Sequence, residues 1–518
     1  MLSTLDYSIV GIYALALFLL AQWVSMEKGS HHKDASDYFL AGKSLPWWAI
    51  GASLIAANIS AEQIIGMSGS GYAMGLAIAS YEWMAAITLI IVGKYLLPIF
   101  LKRGIYTMPQ FLEQRYDHRV RIVMAIFWLG VYVFVNLTSI LWLGAQALHT
   151  VGGFDITTGL MLLGLFALAY SLYGGLKAVA FTDIVQVVLL VLGGLLIAYL
   201  MLDKVSEGAG IIAGFEVLQQ KAPEKFDMIL SPDNEHYMSL PGISVLVGGM
   251  WIMNLSYWGF NQYIIQRALG AKSLQEAQKG IVFAAFLKML MPIVVVLPGL
   301  ALFVLNSDLA VPDQAYPEAM KMLPSGIKGL VFAALLAAIV SSLASMVNSI
   351  STLFTMDIHP SLGMKHVGGD AVVTGRVTAA VAMVLAMITA QPLLGSFDQA
   401  FQYIQEFTGF FTPGICVIFF MGMFWEKTTA NGALFAAIGS AVLSFALKML
   451  WPELPFIDRV GLVFLSCVAI AVLVSLTQNR PQPGAVHVGD IDFSTSTGFN
   501  LSAMAVTLML VALYATWW

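Results

Sequence analysis

Charge is what this sequence of 518 residues has least of: Asp, Glu, Lys and Arg make up 11% of it, against 59% hydrophobic residues. A water-soluble chain of this size needs charged side chains over its whole exterior, so the shortage excludes an ordinary soluble enzyme or a string of soluble domains. Cysteine is scarcer still. Cys416 and Cys467 each sit inside an apolar run, which supports neither a disulfide framework nor a thiolate metal centre. The eight histidines fall outside the apolar runs or at their ends, and His31-His32 reads as a solvated loop pair. No basic cluster calls for a nucleic-acid partner. The start of the chain lacks both a basic n-region and a small-residue cleavage site, so the run from Leu5 to Val24 reads as a retained helix.

What the sequence has instead is apolar runs of about 20 residues from end to end, with a mean hydropathy of +0.82. They predict an all-α polytopic membrane protein of about fourteen transmembrane helices. The expected spans are 5–24, 45–74, 76–101, 120–147, 156–173, 176–202, 242–265, 277–305, 326–358, 372–393, 397–424, 430–449, 460–478 and 499–517, with Gly69, Gly71 and Gly75 marking a turn between the second and third. Loops on one side, including their edges, carry sixteen Lys and Arg and those on the other carry seven, which places both termini outside. The 203–241 loop holds seven acids against three lysines, in keeping with an outer face.

Several stretches break the rules of a lipid solvent. Ala56-Ala57-Asn58-Ile59-Ser60-Ala61-Glu62-Gln63 interrupts the second span, and Asn254-Leu255-Ser256-Tyr257-Trp258-Gly259 the seventh. Interruptions at matching places in two halves point to a transporter of inverted repeats with its site at the breaks. Glu82 and Lys288 lie deep within spans, either as a buried pair that fastens two helices or as part of a substrate path. Ser341, Ser342 and Ser345 put three hydroxyls on neighbouring turns of the ninth span. They are either packing surface or oxygen ligands for a hard cation, completed by unwound carbonyls at Ala56 and Ile59. Gly409, Pro413 and Gly414 can kink the eleventh span just past Gln405.

The stretches DYFLAGKSLPWW (37–48), IAANISAEQIIGMSGSGY (55–72), SYEWM (80–84), SLYGGL (171–176), TDIVQV (182–187), YWGFNQYIIQR (257–267), AAIVSSLASM (337–346) and FQYIQE (401–406) resemble, in order and over most of the chain, the sodium/solute symporter family, and within it the sodium/galactose and sodium/glucose type. The resemblance implies a LeuT-like fold: a leading helix and loop (1–44), a first inverted five-helix repeat with discontinuous helices (45–202), an outer loop (203–241), a second repeat (242–424) and three trailing helices (425–518). It implies a bacterial inner-membrane protein that is no enzyme, uses no organic cofactor, and couples inward sodium flow to monosaccharide uptake by alternating access. Carried over, Asn58, Gln63, Glu82, Asn254, Lys288 and Gln405 look like sugar partners. Met67, Tyr81 and Phe401 look like an outer gate, and Tyr257 like an inner gate stacked on the sugar ring. Ala56, Ile59 and Ala338 by carbonyl, with Ser341 and Ser342 by hydroxyl, look like sodium ligands, and Asp183 like a carboxylate on the ion's exit path. The chain departs from the galactose type at Ala85, where a hydroxyl is expected. A second ion is not supported, because the next turn of the ninth span offers Ala344 and only Ser345. The rivals are a sodium symporter for another small organic solute and a membrane sensor on the same fold.

Overall fold

The computed structural model describes residues 2–25, 43–105, 107–363, 370–395 and 399–518, without the side chains of 21, 22, 24, 25 and 172–184. The apolar runs fall on helix, as they must where no water is available to satisfy an open backbone. Strands are absent among the described residues apart from one isolated bridge, Leu45 to Ala271. In chain order the principal helices are α1 (Thr4–Ser25), α2 (Trp47–Asn58), α3 (Met67–Met74), α4 (Ser80–Ile91), α5 (Leu97–Arg103), α6 (Met108–Arg115), α7 (His118–Val131), α8 (Thr138–Gly152) and α9 (Ile156–Val205). After the loop helix α10 (Ile211–Lys221) come α11 (Gly249–Leu255), α12 (Gln262–Leu269), α13 (Leu274–Leu305), α14 (Ala315–Lys321), α15 (Ile327–Leu353), α16 (Ala371–Leu394), α17 (Ala400–Thr408), α18 (Thr412–Phe424), α19 (Ala430–Leu450), α20 (Phe456–Gln478) and α21 (Thr497–Thr516).

Polar contacts between loops sort the two faces of the molecule. On the N-terminal face, Asp6 accepts from the backbone of Gly326 and Gly329 at 2.7 and 2.9 Å, and the Tyr7 hydroxyl donates to the Gly152 carbonyl at 2.6 Å. On the opposite face, Arg103 donates to Ala485, Arg115 to Trp425 and Glu426, and Arg121 to Asp357. Residues of the expected basic loops 102–119, 425–429 and 479–498 therefore share one face.

Nine helical stretches among the described residues are long and apolar enough to cross a membrane, and the bent pair α17–α18 makes a tenth. The expected fourteen are thus not all separate long helices. Glu62–Arg103 runs as one stretch of 42 residues, which as a straight rod would be about 63 Å, twice a bilayer core of about 30 Å. It is not straight. Gln63 Nε2 donates to Glu82 Oε1 at 2.5 Å, although a straight rod would hold the two residues about 28 Å apart. The reversal falls at Gly75, whose φ of 77° suits glycine and whose Cβ position lies 2.2 Å from the Lys225 carbonyl oxygen. The expected turn is there.

The helix α9 likewise cannot be one straight rod. Phe166 lines the same cavity as Phe332, while Gly193 packs on Val331. A rod would hold residues 166 and 193 about 40 Å apart. The two described halves behave as two spans, and the side chains around the expected 174–177 loop lie outside the described residues.

The first interruption stands where expected. The helix α2 stops at Asn58, Ile59 takes φ −72° and ψ 73°, and a π-helical turn, Glu62–Gly66, follows. The second is displaced. Asn254 is still helical, a π-helical turn covers Ser256–Phe260, and the chain opens at Asn261 with φ −79° and ψ 117°. The Asn261 side chain accepts from the Tyr263 backbone at 3.1 Å and so caps α12, which is why the chain opens there and not at Asn254. The expected kink in the eleventh span is a 46° bend between α17 and α18.

Candidate substrate and ion site

Between the two interruptions lies a partly open cavity lined by polar and aromatic side chains, the mixture that small-molecule sites use. All six expected sugar partners line it, as do Tyr81, Tyr257 and Phe401. Each arrives from a different stretch: Asn58 and Gln63 flank the first break, Glu82 is on α4, Asn254 on α11, Lys288 on α13 and Gln405 on α17. Met67 does not reach the lining. It is fully buried in the core beyond Gly66, against which Phe401 packs.

The polar side chains form a closed ring. Lys288 Nζ donates to Glu82 Oε2 at 2.6 Å and to Asn58 Oδ1. Gln63 Nε2 donates to Glu82 Oε1 at 2.5 Å and to Asn58 Oδ1 at 3.4 Å. Asn58 Nδ2 donates to the Tyr257 hydroxyl at 3.1 Å. Glu82 and Lys288 are 1% and 0% exposed, so each offsets the cost of burying the other. Trp258 stands beside the ammonium, 5.0 Å from its ring centroid. Two polar atoms in the lining, Gln63 Oε1 and the Tyr81 hydroxyl, are buried with no protein partner. Asn254, by contrast, spends its Nδ2 on the Met250 carbonyl of its own helix at 3.1 Å.

Tyr81 and Phe401 meet edge to face, with centroids 5.2 Å apart, as a lid on the side where Ala400 N–H bonds Asp313, in the connection that leads to Gly326 on the N-terminal face. On the far side, the Tyr132 hydroxyl donates to Asn261 at the second break. The residues that sequence reasoning left out are Glu62, Tyr132, Asn136, Trp258 and Asn261, all in the lining. Glu62 had a signal, being an acid at membrane depth within the first interruption. Its carboxylate accepts from Ser139. Tyr132 and Asn136 had none, since they enter on a π-helical turn, Tyr132–Leu137, that periodicity does not reveal. Ala85 also lines the cavity.

The first break also frees backbone carbonyls. Ser60 N–H turns back to Asn58, leaving Ala56 without its usual partner four residues on. The Ser342 hydroxyl approaches the carbonyls of Ala57 at 3.2 Å and Ala56 at 3.5 Å, and the Tyr263 hydroxyl donates to Ala57. Ala56 and Ser342 are thus brought together as expected, with Ala57 in addition. Gln63 N–H bonds Ser60 and not Ile59, so the Ile59 carbonyl is also released from the helix. Ala338, Ser341 and Ser342 are buried on one stretch of α15. The Asp183 side chain lies outside the described residues. Among those residues, no group of three His, Cys, Asp or Glu could hold a metal ion; the oxygens gathered here are carbonyls and hydroxyls, which suit a monovalent hard cation.

Residues 38–439 match the Sodium:solute symporter family. The chain belongs to that family. It is 49% identical to the sodium/glucose cotransporter of Vibrio parahaemolyticus, over all of this chain and 99% of that one. It is 31% identical to the human sodium/myo-inositol cotransporter, over 85% of this chain and 66% of that one. Its fold is similar to that of a Na+-coupled sialic acid symporter (TM-score 0.80, 24% identity, 92% and 98% of the two chains covered) and of a nucleobase-cation-symport-1 family transporter (TM-score 0.56, 15% identity, 91% and 99% covered).

The ring makes one test of its own purpose. In Glu82→Gln, the amide keeps an acceptor for Lys288 but loses the charge. Sugar affinity is expected to fall by more than about tenfold while the protein stays extractable and monodisperse in detergent. A loss of about 3–5 kcal/mol in stability with unchanged affinity would assign the pair to fastening helices alone.

Proposed function

We propose that this chain is a secondary active transporter that couples inward sodium flow to the uptake of a monosaccharide such as glucose or galactose by alternating access. The observation that carries the reading is the ring around Lys288 and Glu82 together with the partnerless Gln63 Oε1 and Tyr81 hydroxyl. A sugar hydroxyl both donates and accepts, so one ligand can satisfy a bare acceptor, a phenol and the charged pair at once. Asn58, Gln63, Glu82, Asn254, Lys288 and Gln405 hold the sugar, with Tyr257 and Trp258 as aromatic surfaces. Tyr81 and Phe401 form the outer gate, with Met67 buried in the core behind them. Sodium sits among the carbonyls of Ala56, Ile59 and Ala338 and the hydroxyls of Ser341 and Ser342, with Ala57 in reach, and leaves past Asp183.

A sodium ion crossing about 100 mV releases about 2.3 kcal/mol before any concentration term, enough to draw sugar uphill. In this reading the chain lies in a bacterial inner membrane with both termini outside. Two inverted repeats, 45–202 and 242–424, move around the site. The Vibrio relative's description as a sodium/glucose cotransporter supports the same substrate class. Another organic solute, such as an organic acid, is disfavoured because Lys288 is already paired with Glu82 and is not free for a carboxylate.

Two variants test this reading. Ser342→Ala removes a hydroxyl that faces the freed carbonyls. Sodium-driven accumulation in proteoliposomes is expected to collapse while the protein still inserts; wild-type sodium activation would make the serine pair mere packing surface. Ala85→Ser adds a hydroxyl to the wall one turn from Glu82. Competition binding with glucose, galactose and their epimers is expected to change rank by about threefold to tenfold, the size of one neutral hydrogen bond of about 0.5–1.5 kcal/mol. An unchanged ranking would mean that position 85 does not touch the sugar.

A further inference from the structure

Arg267 is 1% exposed, and no carboxylate among the described residues pairs with it. Its Nε donates to the carbonyl and hydroxyl oxygens of Ser53 at 3.0 and 2.9 Å, its Nη1 to the Tyr263 carbonyl at 2.5 Å, and its Nη2 to the Ser345 hydroxyl. All four acceptors are neutral oxygens, so the full positive charge stays uncancelled by these bonds. Burying a guanidinium in this way is costly, and a fastening role alone would be served by neutral groups.

Its position gives the charge a use. Ser345 lies one turn beyond Ser341 on α15, and Ser53 one turn before Ala57 on α2. The guanidinium therefore bridges the two helices that supply the proposed sodium ligands, displaced one turn away from the Tyr81–Phe401 lid. It also holds the carbonyl of Tyr263, whose hydroxyl occupies the Ala57 carbonyl. A fixed cation one helical turn from the ion's ligands repels a sodium ion through a medium far less polarisable than water. An ion that must be released on every cycle cannot be held too tightly.

We propose that Arg267 is a tethered cation that lowers the affinity of the adjoining sodium site and so permits release towards the face opposite the lid. This rests on the sodium site proposed above. It acts through its field and through Tyr263, without touching the sugar.

The test is the sodium dependence of equilibrium sugar binding to the purified full-length chain, paired with uptake into proteoliposomes. Arg267→Gln is expected to lower the half-saturating sodium concentration by about tenfold and to slow maximal uptake, because release becomes limiting. Ser345→Asp, which keeps the arginine but sets a carboxylate against it, is expected to move sodium binding the same way. Arg267→Lys, which keeps the charge and loses the forked bonds, is expected to stay close to wild type. A raised or unchanged half-saturating concentration in Arg267→Gln overturns the proposal and leaves a clamp. Should that variant fail to fold, Ser345→Asp decides by the same criterion. Ser342→Ala separates the two levels: wild-type sodium activation there removes the site and the proposal together, whereas loss of activation there with an unmoved Arg267→Gln removes the proposal alone.

Discussion

A backbone carbonyl released from a helix inside a bilayer has no water to turn to, and the arrangement around the first interruption follows from that constraint. From Ser60 on the hydrogen-bond ladder of α2 is broken, and the carbonyls of Ala56 and Ala57 must find partners elsewhere in the protein. Ser342 and Tyr263 provide them, one from α15 and one from the helix that follows the second interruption. The need to satisfy one break thus draws three elements to a single point. In the proposed reading, sodium shares these neutral oxygens with the protein's own hydroxyls, an interaction that alternating access can exchange.

The same logic governs the neighbouring ring. Glu82 and Lys288 cannot be left single in this environment, and Gln63 and Asn58 supply further hydrogen bonds to both. Such a network is costly to build, and an apolar interior of equal volume would hold the helices together at least as well. Beside the cavity, and with two polar atoms lacking protein partners, such a network suits the polyhydroxylated guest of the proposed reading. The aromatic pair Tyr81–Phe401 covers it on one side, and the 46° bend between α17 and α18 puts Phe401 and Gln405 on a segment shorter than a full span.

Much of this was legible in the sequence. The scarcity of charge and the recurrent apolar runs predicted the all-α membrane fold, and Gly75 marked a turn because few other residues accept its backbone. Residues that violate lipid chemistry, such as Asn58, Gln63, Glu82 and Lys288, stood out for that reason and do converge. What stayed hidden has physical causes too. The second break lies at Asn261 and not at Asn254, because a π-helical turn keeps Ser256–Phe260 helical while shifting its register. Tyr132 and Asn136 reach the cavity from another such turn. Met67 looked like a gate residue but is buried, since the chain coils on through Gly66 and takes its side chain into the core.

The central claim is that sodium and a monosaccharide are carried together by the two interruptions and the ring between them. Uptake of radiolabelled sugars by proteoliposomes containing the purified chain, across a panel of hexoses with and without an imposed inward sodium gradient, tests it most directly. The account predicts accumulation above the external concentration for at least one hexose, present with the gradient and lost when sodium is equal on both sides. Equal sugar entry with and without the gradient, or accumulation of a non-sugar solute in its place, would contradict it.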